Sequence, residues 1–192
     1  MTPTVIDSAS VGDPQRFLAV DVLAQRLARL PAAPRDRGRV VALVTRVDGG
    51  RRQLLPRARL TAIGGMPGDA WQRKTPDEAA AQLAVMQLGV AELLANGQPL
   101  ALFGDNLFLD LDLSTANLPI GSRLRAGAVL LEVTPKPHNG CRKFISRFGN
   151  EALRFISAPE RRALRMRGIY LRVIEDGEVA VADVVEVVAR PA

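Results

Sequence analysis

Short apolar runs separated by turn-forming residues recur along most of this chain. At 106–113 leucine occupies every second position, which predicts a strand with one buried and one solvated face. Further apolar runs at 40–47 and 168–188 predict more strands, and Asp176-Gly177 inside the last run predicts a hairpin or meander. Helices interrupt these strands irregularly, so the pattern favours a mainly β fold in which an antiparallel sheet closes into a barrel.

Apolar residues at helical spacing predict several helices outside the barrel. Asp13 is a good N-cap for a helix over 14–30. A capping-box pattern at 75–78 precedes an Ala/Leu-rich stretch, for which one helix ending at Ala95 is the simplest interpretation. A short strand near 82–87 followed by a shorter helix is the alternative. Two more short helices are predicted at 142–149 and 158–167.

The chain has 192 residues, which is enough for one domain with a substantial core. We interpret residues 1–37 as an N-terminal extension with an amphipathic helix and residues 38–190 as the barrel domain. No apolar run approaches the roughly 18–20 residues of a membrane span, and the N-terminus lacks the pattern of a signal peptide. The single cysteine forms no internal disulfide. We therefore expect a cytoplasmic protein with no membrane partner.

The chain is basic, with a formal net charge of +6 and 26 Lys and Arg residues, nearly all of them Arg. Arg side chains bind phosphate and other anions bidentately, so one interpretation of the charge is an anion-binding site. The alternative is that the arginines are scattered over a solvated surface. Arg51 and Arg52, for example, are expected in a surface turn after Asp48-Gly49-Gly50. Nucleic acid is not favoured as a partner, because one Trp and one Tyr provide no stacking platform.

Cys141 is the one chemically distinctive side chain. It follows a Pro/Gly loop and precedes the predicted helix at 142–149, which places it near the N-cap. The helix dipole and the nearby cations Arg142, Lys143 and Arg147 favour a thiolate there, so a nucleophile or sulfur carrier is one interpretation. The alternative is a small packed apolar residue, as most free cysteines are.

His138, the only histidine, stands three residues before Cys141. The two side chains could form a base–nucleophile pair, but they make a weak metal site, because catalytic zinc has at least three protein ligands. Asp110 and Asp112 are expected on the solvated face of the strand at 106–113. Neither a G-x-S-x-G nor an H-E-x-x-H motif is present.

The second half of the sequence resembles a MOSC domain, the domain that ends molybdenum cofactor sulfurases. The resembling segments are GMPGDAW (65–71), GDN (104–106), EVT (132–134), the loop PKPHNGC (135–141), RGIY (167–170) and GEVAVADVV (177–185). Two positions depart from the family pattern. Gly140 stands where many members have Pro, and Ala182 replaces the Gly of a final Gly-Asp. The Ala predicts a turn that does not require positive φ.

The resemblance implies a pyruvate-kinase-type β-barrel with several peripheral helices that binds the molybdenum cofactor (molybdopterin). It implies Cys141 as the catalytic residue that carries sulfur, or as a molybdenum ligand. The candidate cofactor-binding residues are His138, Asn139, Arg142, Lys143 and Arg147.

Two functions remain open for such a protein. One is sulfur transfer or molybdenum-cofactor-dependent reduction through Cys141. Pyridoxal phosphate would then act only through a partner, such as a cysteine desulfurase, and a molybdoenzyme is another candidate partner. The alternative is a non-catalytic barrel that holds a pterin, a phosphate or a partner protein, with Cys141 structural.

Overall fold

The computed structural model describes residues 5–6, 11–75 and 78–191. Its strands are β1 (Val5–Ile6), β2 (Arg37–Arg46), β3 (Arg52–Leu55), β4 (Arg57–Leu60), β5 (Leu83–Gln87), β6 (Leu107–Asp110), β7 (Arg123–Ala126), β8 (Val129–Val133), β9 (Ile169–Glu175), β10 (Gly177–Ala180) and β11 (Val184–Ala189). Seven of them close in the order β2-β11-β7-β8-β9-β5-β6, because β6 pairs again with β2. Only β5 and β6 run parallel within this ring. The predicted, mainly antiparallel barrel is confirmed.

The helices lie outside the barrel wall. The α-helices are α1 (Val20–Leu27), α2 (Ala70–Lys74), α3 (Leu88–Ala95), α4 (Arg142–Phe148) and α5 (Asn150–Ser157). Short 3₁₀ helices occur at Pro14–Arg16, Asp48–Gly50, Ala79–Ala81, Leu100–Phe103 and Pro159–Leu164. Among the described residues, none of these helices has the length and apolarity that crossing a membrane requires.

Two apolar clusters form the core. The interior of the barrel is filled by aliphatic side chains, among them Leu43, Leu109, Leu124, Leu171 and Val185. The second cluster lies between the barrel wall and the helices and contains five phenylalanines, which are Phe103, Phe108, Phe144, Phe148 and Phe155. The scarce aromatic side chains are thus concentrated on one outer side of the barrel, under α3, α4 and α5.

The strand predicted at 106–113 is shorter than expected, and its second face is not solvated. Strand β6 ends at Asp110, and Phe108 on the supposed solvent face is fully buried. Asp110 and Asp112 are partly buried rather than solvated. The alternation of the sequence is genuine, but the helical layer covers the outer face of β6, so both faces lie in apolar clusters.

The single helix expected at 75–95 is wrong, and the alternative of a strand followed by a shorter helix is confirmed. Residues 83–86 are buried on both faces as β5, which pairs with β6 and β9, and α3 follows directly. Partner strands outweigh the helical propensity of this Ala/Leu-rich stretch. Pro76 and Asp77 of the capping box lie outside the described residues.

Two other helix predictions also change in detail. The helix at 14–30 is divided into a 3₁₀ turn capped by Asp13 and the helix α1. The helix at 158–167 is a 3₁₀ helix. The helix expected at 142–149 is confirmed as α4.

The hairpin or meander predicted at Asp176-Gly177 is also wrong, although the strands on both sides of this turn exist. Strand β9 is already paired with β8 and β5, so it has no free edge for β10. Strand β10 instead leaves the barrel and pairs with β4 as a separate two-stranded sheet.

Ala182 contradicts the prediction that its turn needs no positive φ, because its φ is 74°. Two hydrogen bonds hold the turn. The backbone N–H of Ala182 donates to the carbonyl of Val40 at 2.8 Å, and the Asp183 carboxylate accepts from the N–H of Ala180 at 2.8 Å. The chain therefore adopts a left-handed residue here at an energetic cost, because the turn delivers β11 to its place beside β2.

Candidate anion and thiol site

A cavity of about 420 Å³, here called the first cavity, opens beside the N-terminus of α4. The loop at 135–141, the segment at 70–81 and the residues before β6 contribute to its walls. Six cationic side chains line it, which are Arg46, Arg52, Lys136, Lys143, Arg147 and Arg167. Glu78 is the one acidic lining residue among those described, and it pairs with Lys136. The first cavity is therefore strongly basic.

Asp105 holds Arg167 in the wall of the first cavity. This carboxylate is fully buried and accepts hydrogen bonds from Nη1 of Arg167 at 2.8 and 2.9 Å. Arg167 Nε is buried without a hydrogen-bond partner in the described structure. Gly104, just before Asp105, has a φ of 77°, and a Cβ there would lie 2.8 Å from the Arg52 guanidinium. Glycine thus lets the chain bring Asp105 beneath the arginines.

Asp69 holds Arg46 in the wall of the first cavity in the same way. Its carboxylate accepts from Arg46 Nε at 3.0 Å and Nη2 at 2.5 Å, and from Asn106 Nδ2 at 3.1 Å. It also caps α2 by accepting from the backbone N–H of Trp71 at 2.9 Å. Burial alone would raise the pKa of Asp69, but the hydrogen bonds and charge of Arg46 hold that pKa below its ordinary value.

Arg52 and Arg147 lie close enough to repel each other. Burial lowers the pKa of Arg52 to about 10, and the charges of Arg147 and Arg46 act in the same direction. Burial also lowers the pKa of Arg147, while nearby Cys141 opposes that change. Both guanidinium groups remain charged at neutral pH. The prediction that Arg52 lies in a surface turn is wrong, because its side chain is buried in β3 against the cavity.

Cys141 is the N-cap residue of α4, as its place in the sequence predicts. It is exposed and lines the first cavity, so the alternative that its thiol packs in the core is wrong. Lys143, Arg147 and Asn139 line the same cavity. Arg142 is exposed and lies outside the lining.

His138 is buried behind the loop. Its ring is tilted by 38° against the ring of Tyr170, with centroids 4.4 Å apart. Its Nδ1 lies 3.5 Å from Oδ1 of Asp105 without forming a hydrogen bond in the described structure. Burial lowers the pKa of His138 to about 3, against the opposing effect of the Asp105 charge. The ring is therefore neutral at physiological pH and a weak proton acceptor.

The chain segments around α4 fix its position. The N–H of Gly12 donates to the carbonyl of Ser146 at 2.9 Å, and a Cβ on Gly12 would lie 1.8 Å from the Arg147 carbonyl oxygen. Gln98 Nε2 donates to that same oxygen at 3.2 Å. The segment before α1 thus packs directly on the helix that carries Cys141 and Arg147.

Sequence reasoning did not select Arg46, Arg52, Asp69, Asp105 or Arg167 as site residues. Three of them stand in the family-like segments, since Asp69 belongs to GDAW, Asp105 to GDN and Arg167 to RGIY. Their place in these segments is the sequence signal that could have identified them as site residues. Within the described residues, no group of three or more His, Cys, Asp or Glu side chains is arranged to hold a metal ion.

The closed barrel, its outer helices and the cysteine-bearing loop define the class of MOSC-fold proteins. The profile of the MOSC domain matches residues 69–186, more than half of the chain. The chain therefore belongs to the MOSC domain family, which is associated with the molybdenum cofactor and its sulfurases.

Solved structures share this fold. A hypothetical protein has a TM-score of 0.61 at 20% identity, with 81% of this chain and 70% of that chain covered. YiiM from Escherichia coli has a TM-score of 0.54 at 22% identity, with 80% and 71% covered. The YuaD protein from Bacillus subtilis has a TM-score of 0.53 at 18% identity, with 81% and 97% covered. A search of curated protein sequences gave no match.

Proposed function

We propose that the first cavity binds the molybdenum cofactor, with Cys141 as a sulfur ligand of molybdenum or as a sulfur carrier. One observation supports this most directly. A single cavity joins an exposed thiol to four guanidinium groups, those of Arg46, Arg52, Arg147 and Arg167. Two buried carboxylates hold two of these groups in place, since Asp69 hydrogen-bonds to Arg46 and Asp105 to Arg167. The lining of six cationic side chains and one acidic residue suits an anionic ligand.

The donor set fits this cofactor. Its phosphate group suits arginine forks, and molybdenum, like other soft metals, favours thiolate sulfur. When bound, the cofactor would supply a molybdenum centre for redox or sulfur chemistry. Arg147, Arg52 and Lys143 would hold its anionic part, and Asp69 and Asp105 would keep Arg46 and Arg167 in place.

The proposal leaves two reactions for Cys141, sulfur transfer and cofactor-dependent reduction. In sulfur transfer, a pyridoxal-phosphate-dependent cysteine desulfurase would load the thiol and a molybdoenzyme would receive the cofactor. The desulfurase and the molybdoenzyme are both part of this proposal.

Binding is tested by native mass spectrometry of the protein purified from a host that makes the cofactor and from one that does not. We expect a bound pterin–molybdenum mass only in the first preparation. Lys143→Glu, on the cavity rim, should lower its occupancy severalfold. Arg142→Glu is the matched control, because Arg142 is equally exposed on the same helix turn but does not line the cavity. Equal losses in both variants would indicate diffuse electrostatics and contradict this site.

The role of the thiol is tested by Cys141→Ser. Because Cys141 is exposed, we expect the substitution to change the free energy of unfolding by less than about 0.5 kcal/mol, the usual range for surface substitutions. Sulfur transfer or reductase activity should disappear, since a hydroxyl is a poor soft ligand and nucleophile. A fully active Ser variant with normal cofactor occupancy would favour the alternative, a binding module without thiol chemistry.

A further inference from the structure

A second cavity, of about 330 Å³, lies against the same cysteine loop. It shares Lys136, His138, Asn139 and Arg167 with the first cavity. Its other walls come from the loop at 115–120, the end of α5 and the 3₁₀ helix at 159–164 with the residues after it. Cys141 lines the first cavity and not the second.

The charge of the second cavity is unbalanced. Its described lining contains the cations Lys136, Arg162, Arg165 and Arg167 and no Asp or Glu. Lys136 is already paired with Glu78, and Arg167 with Asp105. Arg162 and Arg165 form no ion pair with any described residue, which leaves two positive charges without a counter-charge.

Arg165 is the more informative of the two because it is held in place. It closes the 3₁₀ helix in a left-handed conformation, with φ 47°, which is uncommon for a residue with a side chain. Its Nη1 donates to the carbonyl of Leu118 at 2.6 Å, which fixes the guanidinium, and Arg165 lines the cavity. Burial lowers the pKa of Arg165, and no neighbouring carboxylate counteracts this. A half-buried cation of this kind gains stability when an anion joins it.

Part of the remaining lining is apolar. Ile156 and Met166 are buried in the wall, and Ile169 lies at the start of β9. Ile120 is 52% exposed and also lines the cavity, with Pro135 and Pro137 nearby. The volume is at the lower end of the roughly 300–1,000 Å³ of small-molecule sites. The space therefore matches a small molecule with an apolar body and one charged end.

We propose that the second cavity binds a small organic carboxylate, whose carboxylate contacts Arg165 and Arg162 and whose apolar body packs on Ile120, Ile156 and Met166. The planar fork of a guanidinium suits a planar carboxylate. This proposal is independent of cofactor binding, because it uses neither Cys141 nor the arginines exclusive to the first cavity.

The test follows isoleucine methyl groups by NMR while hexanoate is added to the purified full chain. Ile120, Ile156 and Ile169 line the second cavity, whereas the exposed Ile63 does not and is the internal reference. We expect saturable shifts confined to the first three, with a Kd at or below about 10 mM. Hexylamine, which has a similar body and the opposite charge, should cause none.

Two variants connect the signal to the arginines. Arg162→Gln, at an exposed position, should weaken hexanoate binding several-fold with no effect on folding. Arg165→Gln should weaken it about tenfold or more. Arg161→Gln is the control, because Arg161 already pairs with Glu160 and does not line the cavity. The proposal is overturned by shifts that do not saturate, by equal binding of hexylamine, or by equal affinities in all three variants.

Discussion

The interior of the barrel and the first cavity meet at β6 and are filled in opposite ways. Leu107 and Leu109 belong to an apolar cluster made almost entirely of aliphatic side chains. Asp105 and Asn106, immediately before the strand, lie fully buried among arginines. Within five residues, the chain changes from buried polar groups to apolar side chains. Each buried charge needs a particular partner, whereas the apolar contacts depend only on complementary shape. The barrel carries stability, and the buried charges at its end serve binding at a cost to stability.

The comparison predicts its largest effect at Asp105. Asp105→Asn leaves the Arg167 guanidinium buried without its counter-charge, and we expect a loss of about 3–5 kcal/mol of unfolding free energy. Urea unfolding measures this loss. Asp36→Asn is the control, because Asp36 forms an exposed pair with Arg190 and should cost no more than about 1 kcal/mol. Similar losses in the two variants would contradict the importance of burial.

The aliphatic side is probed four residues further along. Leu109→Ala removes a fully buried side chain inside the barrel and should cost about 2–5 kcal/mol through lost burial and a cavity. Unlike Asp105→Asn, it should leave the ligand affinity of the first cavity unchanged in the protein that remains folded. A parallel loss of affinity would show that the two regions are not separable.

A pH titration sharpens the comparison through His138. The folded-state pKa is about 3, below the ordinary value of 6.5, so the unfolded chain binds a proton that the folded chain does not. Stability from this group is present above pH 6.5 and is lost as pH falls toward 3, at up to about 1.4 kcal/mol per pH unit.

Between pH 6.5 and 5 this amounts to about 2 kcal/mol at most. Chemical unfolding at a series of pH values measures the slope. His138→Gln, which has no titrating ring, should flatten the curve in this window. A slope that persists in this variant would assign the pH dependence to other groups.

The smallest expected effect lies away from both regions, at the turn before β11. Ala182→Gly should stabilise the protein by about 0.5–1 kcal/mol, because glycine adopts the φ of 74° without steric cost. Thermal melting detects this gain. Ala32→Gly, at an exposed loop position with ordinary φ, should destabilise instead through the greater entropy of the unfolded chain.

The sequence predicts best where the signal is local. The N-cap position of Cys141 follows from a Pro/Gly loop next to a helical run, and the structure has it there. Strand β5 was not the preferred prediction, because its Ala/Leu composition matches a helix and only its partners β6 and β9 make it a strand. Local patterns do not contain information about such partners.

For the same reason, only part of the charged site could be predicted from the sequence. Arg167 and Asp105 are 62 positions apart, and nothing near either one indicates the pair. Arg52 was expected on the surface because it follows a turn, yet the left-handed Gly104 brings the chain over it. The family-like segments GDAW, GDN and RGIY did mark three of these residues, although periodicity and charge did not.

Barrel closure has a consequence for synthesis of the chain. Strand β2 pairs with β11, so Arg39 can pair with Val184 only after β11 has been synthesised. At roughly 5–20 residues per second, β2 would leave the ribosome many seconds before β11 exists. The ring can close only after β11 has been synthesised. Folding should therefore be slow, and the nascent chain should be more prone to aggregation before β11 emerges than after it.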